Sequence, residues 1–168
     1  MTKMNRREFV EVASKLAALM GLGASAIPQL AEAAEQLTRC APVLWLQGLS
    51  CSGCSISLLN SSPLTPATLL TRYISLVFHQ TLSTATGQVS VDVVNKTIEQ
   101  GGYILAVEGA VPAGMPEACQ FGHESFNHQL ERATRGAKAV LAIGSCAVSG
   151  GIPAAENNPT GAMGSSTD

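Results

Sequence analysis

The chain has 168 residues, 46% of them hydrophobic, a net charge of −2 and no basic run beyond its N-terminus. That is enough apolar material for the core of one domain, and it excludes the electrostatic footprint of a nucleic-acid binder. Charged residues make up only 13%, against roughly 25% in an ordinary soluble domain, which points to a surface covered in part by a partner.

Residues 1–34 read as an export signal. Asn5-Arg6-Arg7-Glu8-Phe9-Val10 opens it, and residues 12–27 are Ala- and Leu-rich with Lys15 as their only charge. Small-residue sites follow at Ala24-Ser25-Ala26 and Ala31-Glu32-Ala33. A basic start, an apolar middle and an A-x-A end are the three parts of such a segment. The apolar run is short and Gly-rich for a bilayer core of about 30 Å, so removal is favoured over anchoring. Arg6, Arg7 and Phe9 fit the RRxF pattern of the twin-arginine route, although Glu11 stands where such signals often have Lys. The alternative is an amphipathic helix of the mature domain. The twin-arginine route carries folded proteins, so the signal predicts a cofactor inserted in the cytoplasm. It also predicts the periplasm, where cysteines without a metal tend to form disulfides.

Residues 35–41 form a short lead-in with Cys40, which has no cysteine nearby and reads as a bystander. The domain proper is expected over 42–161, with a Gly/Ser-rich tail over 162–168. Residues 43–47 (VLWLQ) are nearly continuous in apolar side chains, as in a strand buried on both faces. The run breaks at Gly48 into a small-residue loop with Cys51 and Cys54, and the helix-compatible SISLLN follows. Pro63 and Pro66 interrupt that helix, and residues 67–72 can make a further turn. Residues 73–78 (YISLVF) are rich in β-formers and predict the second strand.

After a polar loop over 79–87, residues 88–100 place Val91, Val94 and Ile98 at helical spacing, and Gly101-Gly102 stops the helix. Residues 103–107 (YILAV) predict the third strand, and a loop over 109–122 holding Cys119 follows. A polar helix is expected over 123–135, with Phe126 and Leu130 on one face. Residues 137–143 (AKAVLAI) predict the fourth strand, after which Gly144-Ser145-Cys146 opens another loop.

Strands alternating with helices predict an α/β fold, a doubly wound parallel sheet with right-handed crossovers. In such sheets the ligand site lies outside the carboxyl ends of the strands. Cys51 and Cys54 follow the first strand, Cys119 the third and Cys146 the fourth, so the topology puts all four at one sheet edge. Four thiols suit zinc or an iron–sulfur cube, but a structural zinc site usually draws on two local CxxC pairs. One pair and two singles from separate loops fit the larger body. A thioredoxin-like dithiol would leave Cys119 and Cys146 unused, and two disulfides remain open in an exported protein. Gly48, Gly53, Gly122, Gly144, Gly150 and Gly151 are expected to let backbone N–H groups approach the sulfurs.

WLQGLSCSGCSISLLN (45–60), VEGAVP (107–112), EACQFG (117–122) and IGSCAVSGGIPAAENNPTG (143–161) resemble, in that order, the cluster-binding segments of [NiFe] hydrogenase small subunits. The resemblance covers essentially all of the chain after the signal, and RRxF signals are typical of the family's periplasmic members. It implies a flavodoxin-like domain holding a proximal [4Fe-4S] cluster, with Cys51, Cys54, Cys119 and Cys146 at the four ligand positions. It also implies a partner, the large subunit, whose Ni-Fe site splits H2. Electrons would pass through the cluster towards an acceptor such as a cytochrome c or a membrane cytochrome. Membrane association, where present, would come through partners.

There are departures from the family pattern. Ser50 stands where the family often has Glu, and Gly53 where oxygen-tolerant relatives have an extra Cys. Family small subunits continue into a second domain with further clusters, so the chain reads either as a fragment, the favoured reading, or as a shortened version with one cluster and a docking face, and those clusters are expected only in a full-length chain. His79, His123 and His128 read as loop or helix-surface residues. Glu108 and the loop over 109–122 are expected beside the cluster, facing the large subunit, unless Glu108 is a structural acceptor for loop N–H groups. Two other readings are an iron–sulfur subunit related to respiratory complex I and a disulfide-stapled secreted binding module without iron.

Overall fold

The computed structural model describes residues 40–165; Arg6, Arg7, Phe9 and the rest of the expected export signal lie outside the described residues. In chain order the elements begin with β1 (Ala41–Gln47), α1 (Gly53–Leu59) and α2 (Pro66–Thr68), which runs into a π-helical turn, Leu69–Tyr73. Then come β2 (Ile74–His79), α3 (Gly87–Gln100), β3 (Tyr103–Glu108), β4 (Val111–Pro112), β5 (Gln120–Phe121) and β6 (Glu124–Ser125). The chain continues with α4 (Phe126–Gly136), β7 (Ala137–Ile143), α5 (Gly144–Ser149) and β8 (Ala162–Met163).

The central sheet is parallel throughout, in the order β2-β1-β3-β7. It is the doubly wound α/β arrangement that the alternation of strands and helices predicts. Gln47 pairs with Glu108 and Glu108 with Ile143, so the carboxyl ends of β1, β3 and β7 stand level, while β2 ends earlier, with His79 beside Trp45. Successive side chains point to opposite faces. Leu44, Leu46, Leu105 and Val107 therefore meet Val94 of α3 and Phe126, Leu130 and Ala133 of α4 in the main core. Val43, Trp45 and Ala106 pack on the other face with Leu58 of α1 and Ile143, and a cleft of about 570 Å³ that reaches Cys54 opens beside them. On β7, the outer strand, Val140 and Leu141 are exposed.

Several boundaries differ from the sequence reading for local reasons. Residues 123–125 do not join α4, because the Ser125 side chain accepts from His128 N and caps the helix there. Glu124–Ser125 instead pairs with Gln120–Phe121. Tyr73 closes the π-helical turn, and β2 runs one residue past Phe78 to take in His79. The Gly/Ser-rich tail starts inside the fold: Ala162–Met163 pairs antiparallel with Val111–Pro112, and Ala162 is buried. Residues 144–149 form α5 rather than a loop, because Gly144, at φ +81°, turns the chain sharply off β7 into a helical turn.

Gly48 fixes how the chain leaves β1. Its N–H donates to Glu108 O at 2.8 Å, and an added Cβ would press on Ala110 O and lie 2.6 Å from the Phe126 ring. Gly48→Ala is therefore expected to lower stability by about 1–3 kcal/mol through overpacking. Thermal denaturation would register this as a fall of roughly 2–4 °C per kcal/mol for a chain of this size. An unchanged midpoint would contradict the packing described.

Candidate metal centre

The loops that leave β1 and β3 are tied to each other. Leu49 N donates to Ala110 O at 2.9 Å and Ala110 N to Leu49 O at 3.1 Å. Ser52 takes the left-handed conformation at φ 58° and precedes α1, while Ser52 N donates to Ser50 Oγ at 3.0 Å. Ser50 thus has a local task here, holding the turn that carries Cys51 and Cys54. Cys146 sits in α5, where its carbonyl accepts from Gly150 N at 2.9 Å.

None of the described cysteines is in a disulfide. Burial pushes the Cys54 thiol above its ordinary value, and the charges of Glu108, Cys51 and Cys146 push it the same way. Cys51, Cys54 and Cys146 therefore share one electrostatic neighbourhood. Cys119 stands differently: it ends a 3-10 turn, its carbonyl accepts from Phe126 N at 2.9 Å, and it packs on the main core. Burial alone raises its thiol, with no contribution from the other three. Cys40 is far from this edge in the fold, with its thiol donating to Arg72 O at 3.2 Å.

Three glycines border the sulfurs. A Cβ on Gly144 would collide with Cys54 Sγ, one on Gly151 would lie 2.7 Å from Cys146 Sγ, and one on Gly53 would lie 3.1 Å from Cys51 Sγ. At Gly48, Gly122 and Gly150 an added Cβ would meet other groups. Gly48 meets Ala110 and Phe126, Gly122 meets Val91, and Gly150 meets Ala154. A cavity of about 380 Å³ lies between Cys51 and Cys146, lined also by Leu49, Ile152, Pro153 and Thr160. Among the described residues no three His, Cys, Asp or Glu side chains gather at single-ion spacing. Thiols carried by separate elements, bordered by glycines and beside a buried Thr160 hydroxyl oxygen without a hydrogen-bond partner, fit a body larger than one ion.

Beneath this edge lies a buried polar network that sequence reasoning missed. Glu108 is 1% exposed and accepts from Trp45 Nε1 at 3.1 Å, Gln47 Nε2 at 3.0 Å, Ser55 N at 3.3 Å and the Ser55 hydroxyl. Burial pushes its carboxyl up, but the bonds from Ser55, Gln47 and Trp45 outweigh that and hold it below the ordinary carboxylate value. Glu108 is thus the structural acceptor, turned inward rather than towards a partner. His79 is fully buried, not a loop residue, because it ends β2 against Trp45, with ring centroids 4.9 Å apart. Thr81 N donates to His79 Nδ1 at 3.0 Å, so Nε2 carries the proton and donates to Ser55 Oγ, also 3.0 Å away. Burial lowers the His79 value, with Glu108 partly opposing, so the ring is held neutral. His123 and His128 are exposed as expected, His128 beside Glu124. Ser55 follows Cys54 directly, so the network anchors the helix that carries the second thiol. Its one signal in the sequence was a polar residue ending each of three neighbouring apolar strands: Gln47, His79 and Glu108.

A family profile described as "NADH ubiquinone oxidoreductase, 20 Kd subunit" matches residues 51–168. The Hydrogenase-2 small chain of Escherichia coli K12 is 37% identical over 163 residues, covering 95% of this chain and 44% of that one. The uptake hydrogenase small subunit of Azotobacter vinelandii is 41% identical over 164 residues, covering 95% and 45%. Among solved structures, the recombinant [NiFeSe] hydrogenase of Desulfovibrio vulgaris Hildenborough superposes with a TM-score of 0.71 at 41% identity, covering 74% of this chain and 47% of that one. The chain thus spans about half the length of the relatives it matches.

Proposed function

The chain belongs to the family of the 20 kDa subunit of NADH ubiquinone oxidoreductase and within it is a relative of hydrogenase small subunits, and from that premise we propose that it is the proximal-cluster domain of a [NiFe] hydrogenase small subunit. Cys51, Cys54, Cys119 and Cys146 would hold a [4Fe-4S] cluster. When bound, such a cluster accepts and releases one electron at a time. The observation that carries this reading is the unbridged set of thiols at the level ends of β1 and β7, with glycines against three sulfurs where a side chain would intrude.

The chain's own residues prepare the site in three ways. The loop pairing at Leu49 and Ala110 fixes the CxxC turn against the end of β3. The Glu108 network fixes Ser55, and with it the start of α1. Gly144 and Gly151 keep side chains away from the Cys54 and Cys146 sulfurs. Cys119, anchored to the start of α4, would complete the set from the third loop.

The low charge content and the exposed apolar side chains of Val148, Ile152 and Met163 near Cys146 support a partner on this edge, which we assign to the large subunit with the Ni-Fe site. H2 oxidation there would feed electrons through the cluster to an acceptor such as a cytochrome c or a membrane cytochrome. Arg6, Arg7 and Phe9 support export by the twin-arginine route to the periplasm. Further clusters belong to the part of such proteins that this chain does not span.

Anaerobic purification of the full-length protein tests the reading. The wild type is expected to be brown, to contain iron and acid-labile sulfide in equal amounts, and to co-purify with a nickel-containing partner. Cys119→Ser is expected to remove at least half of the iron bound at this site. A colourless wild type whose thiols react only after reduction would overturn the proposal in favour of a disulfide-stapled module.

A further inference from the structure

Thr160 lies in the PTG motif, to which the function above gives no role. Its Oγ1 is buried and has no hydrogen-bond partner, and the residue lines the cavity between Cys51 and Cys146. Leaving a buried hydroxyl unpaired costs about 1–3 kcal/mol, so the site is built around an acceptor that Thr160 meets there. Water is a poor candidate. It needs two to four polar partners, and apart from Ser50 and the thiols of Cys51 and Cys146 the rest of the lining is Leu49, Ile152, Pro153 and Pro159. Cys51 and Cys146 border the same space.

The backbone holds Thr160 firmly in this position. Its carbonyl accepts from Gly114 N at 2.9 Å, and Ala113 N donates to Gly161 O at 3.2 Å. Gly161 takes φ +59°, and a Cβ there would lie 2.7 Å from Gly114 N. The Asn158 side chain closes the turn, accepting from Ala162 N at 2.6 Å and donating to Ala162 O at 3.0 Å. These bonds fix the backbone of Thr160, so the hydroxyl is placed by its χ1 angle alone.

We propose that the Thr160 hydroxyl donates a hydrogen bond to a sulfur of the iron–sulfur group held between Cys51 and Cys146, and thereby raises its reduction potential. The inference rests on the cluster assignment above. A donor to sulfur stabilises the more negative, reduced state, and hydrogen bonds to sulfurs are among the terms that set cluster potentials.

The test is an EPR-monitored redox titration of the full-length holo complex carrying Thr160→Val, Thr160→Ala or Thr160→Ser. Thr160→Val and Thr160→Ala are expected to shift the oxidised-to-reduced ratio at fixed potential about tenfold towards oxidised, which for a one-electron couple is about 59 mV downward. Thr160→Ser is expected to restore most of that shift. Loss of iron from the Val and Ala variants with retention in Ser would also support the proposal, since only the hydroxyl separates them. An unchanged potential in either apolar variant with its cluster intact would overturn it, as would loss of iron from all three. The iron content of the wild type reads the cluster assignment separately.

Discussion

Glu108→Ala is expected to lower the stability of the fold by about 3–5 kcal/mol, a large part of the roughly 5–15 kcal/mol available to a domain. Glu108 accepts from Trp45, Gln47 and twice from Ser55 in a site with almost no solvent exposure. Each donor left without an acceptor costs about 1–3 kcal/mol. The total falls short of their sum because the network relaxes and Gln47 keeps its bond to Ser55 Oγ at 3.1 Å. Glu108→Gln keeps one acceptor oxygen but sets an amide N–H2 against N–H donors, so about 1–3 kcal/mol is expected. Denaturant midpoints measure both, and an alanine variant within 1 kcal/mol of the wild type would show that the network is dispensable.

The same network predicts an acid limb. The His79 value is lowered in the fold from 6.5, so the unfolded chain takes up a proton first and stability falls as the pH drops through 6.5. Glu108 is lowered from 4.5, so its contribution is present above 4.5 and lost as the pH falls towards its folded value. Both slopes have the same sign.

Gly144→Ala is expected to cost the protein most of the iron bound at this site while leaving it folded. At φ +81° an L-residue pays about 1–2 kcal/mol in backbone strain. The added methyl would occupy the space of Cys54 Sγ, so the sulfur must move or the turn from β7 into α5 must open. Either way Cys54 and Cys146 lose their relative placement, and misplaced ligands weaken a metal site by about ten- to a hundredfold. Gly53→Ala is the control, because its methyl would stand 3.1 Å from Cys51 Sγ without left-handed strain. It is expected to retain most of the cluster. Iron per chain after anaerobic desalting decides the point, and a full complement in Gly144→Ala would show that the cradle does not constrain the sulfurs.

What the sequence showed of this fold is what a period of two and a period of 3.6 can encode. Leu44, Leu46, Leu105 and Val107 marked buried strands, and Val94 marked the inner side of α3. Topology then brought Cys51, Cys54 and Cys146 to one edge. Pairing register is not written in any single strand, so nothing said that Gln47 would lie beside Glu108 or Trp45 beside His79. For that reason a histidine at a strand end looked the same as one in a loop. The helix expected over 123–135 starts three residues late, because nothing in the local spacing showed that Glu124–Ser125 would pair with Gln120–Phe121. Thr160 stood inside the segment 143–161 that carries the resemblance, but its burial gave no signal, because a hydroxyl in a loop declares itself only when its neighbours from Gly114 and Asn158 are in place.

Strand β7 pairs with β3 on one side only among the described residues, and it presents Val140 and Leu141 to solvent. Its other margin carries amide and carbonyl groups spaced to match another extended chain, on an apolar strand with Lys138 as its single charge. Produced without a partner, this chain would be prone to self-templating and precipitation at high concentration, so a low yield from such a preparation would reflect a bare sheet margin and not a failure of the thiol site.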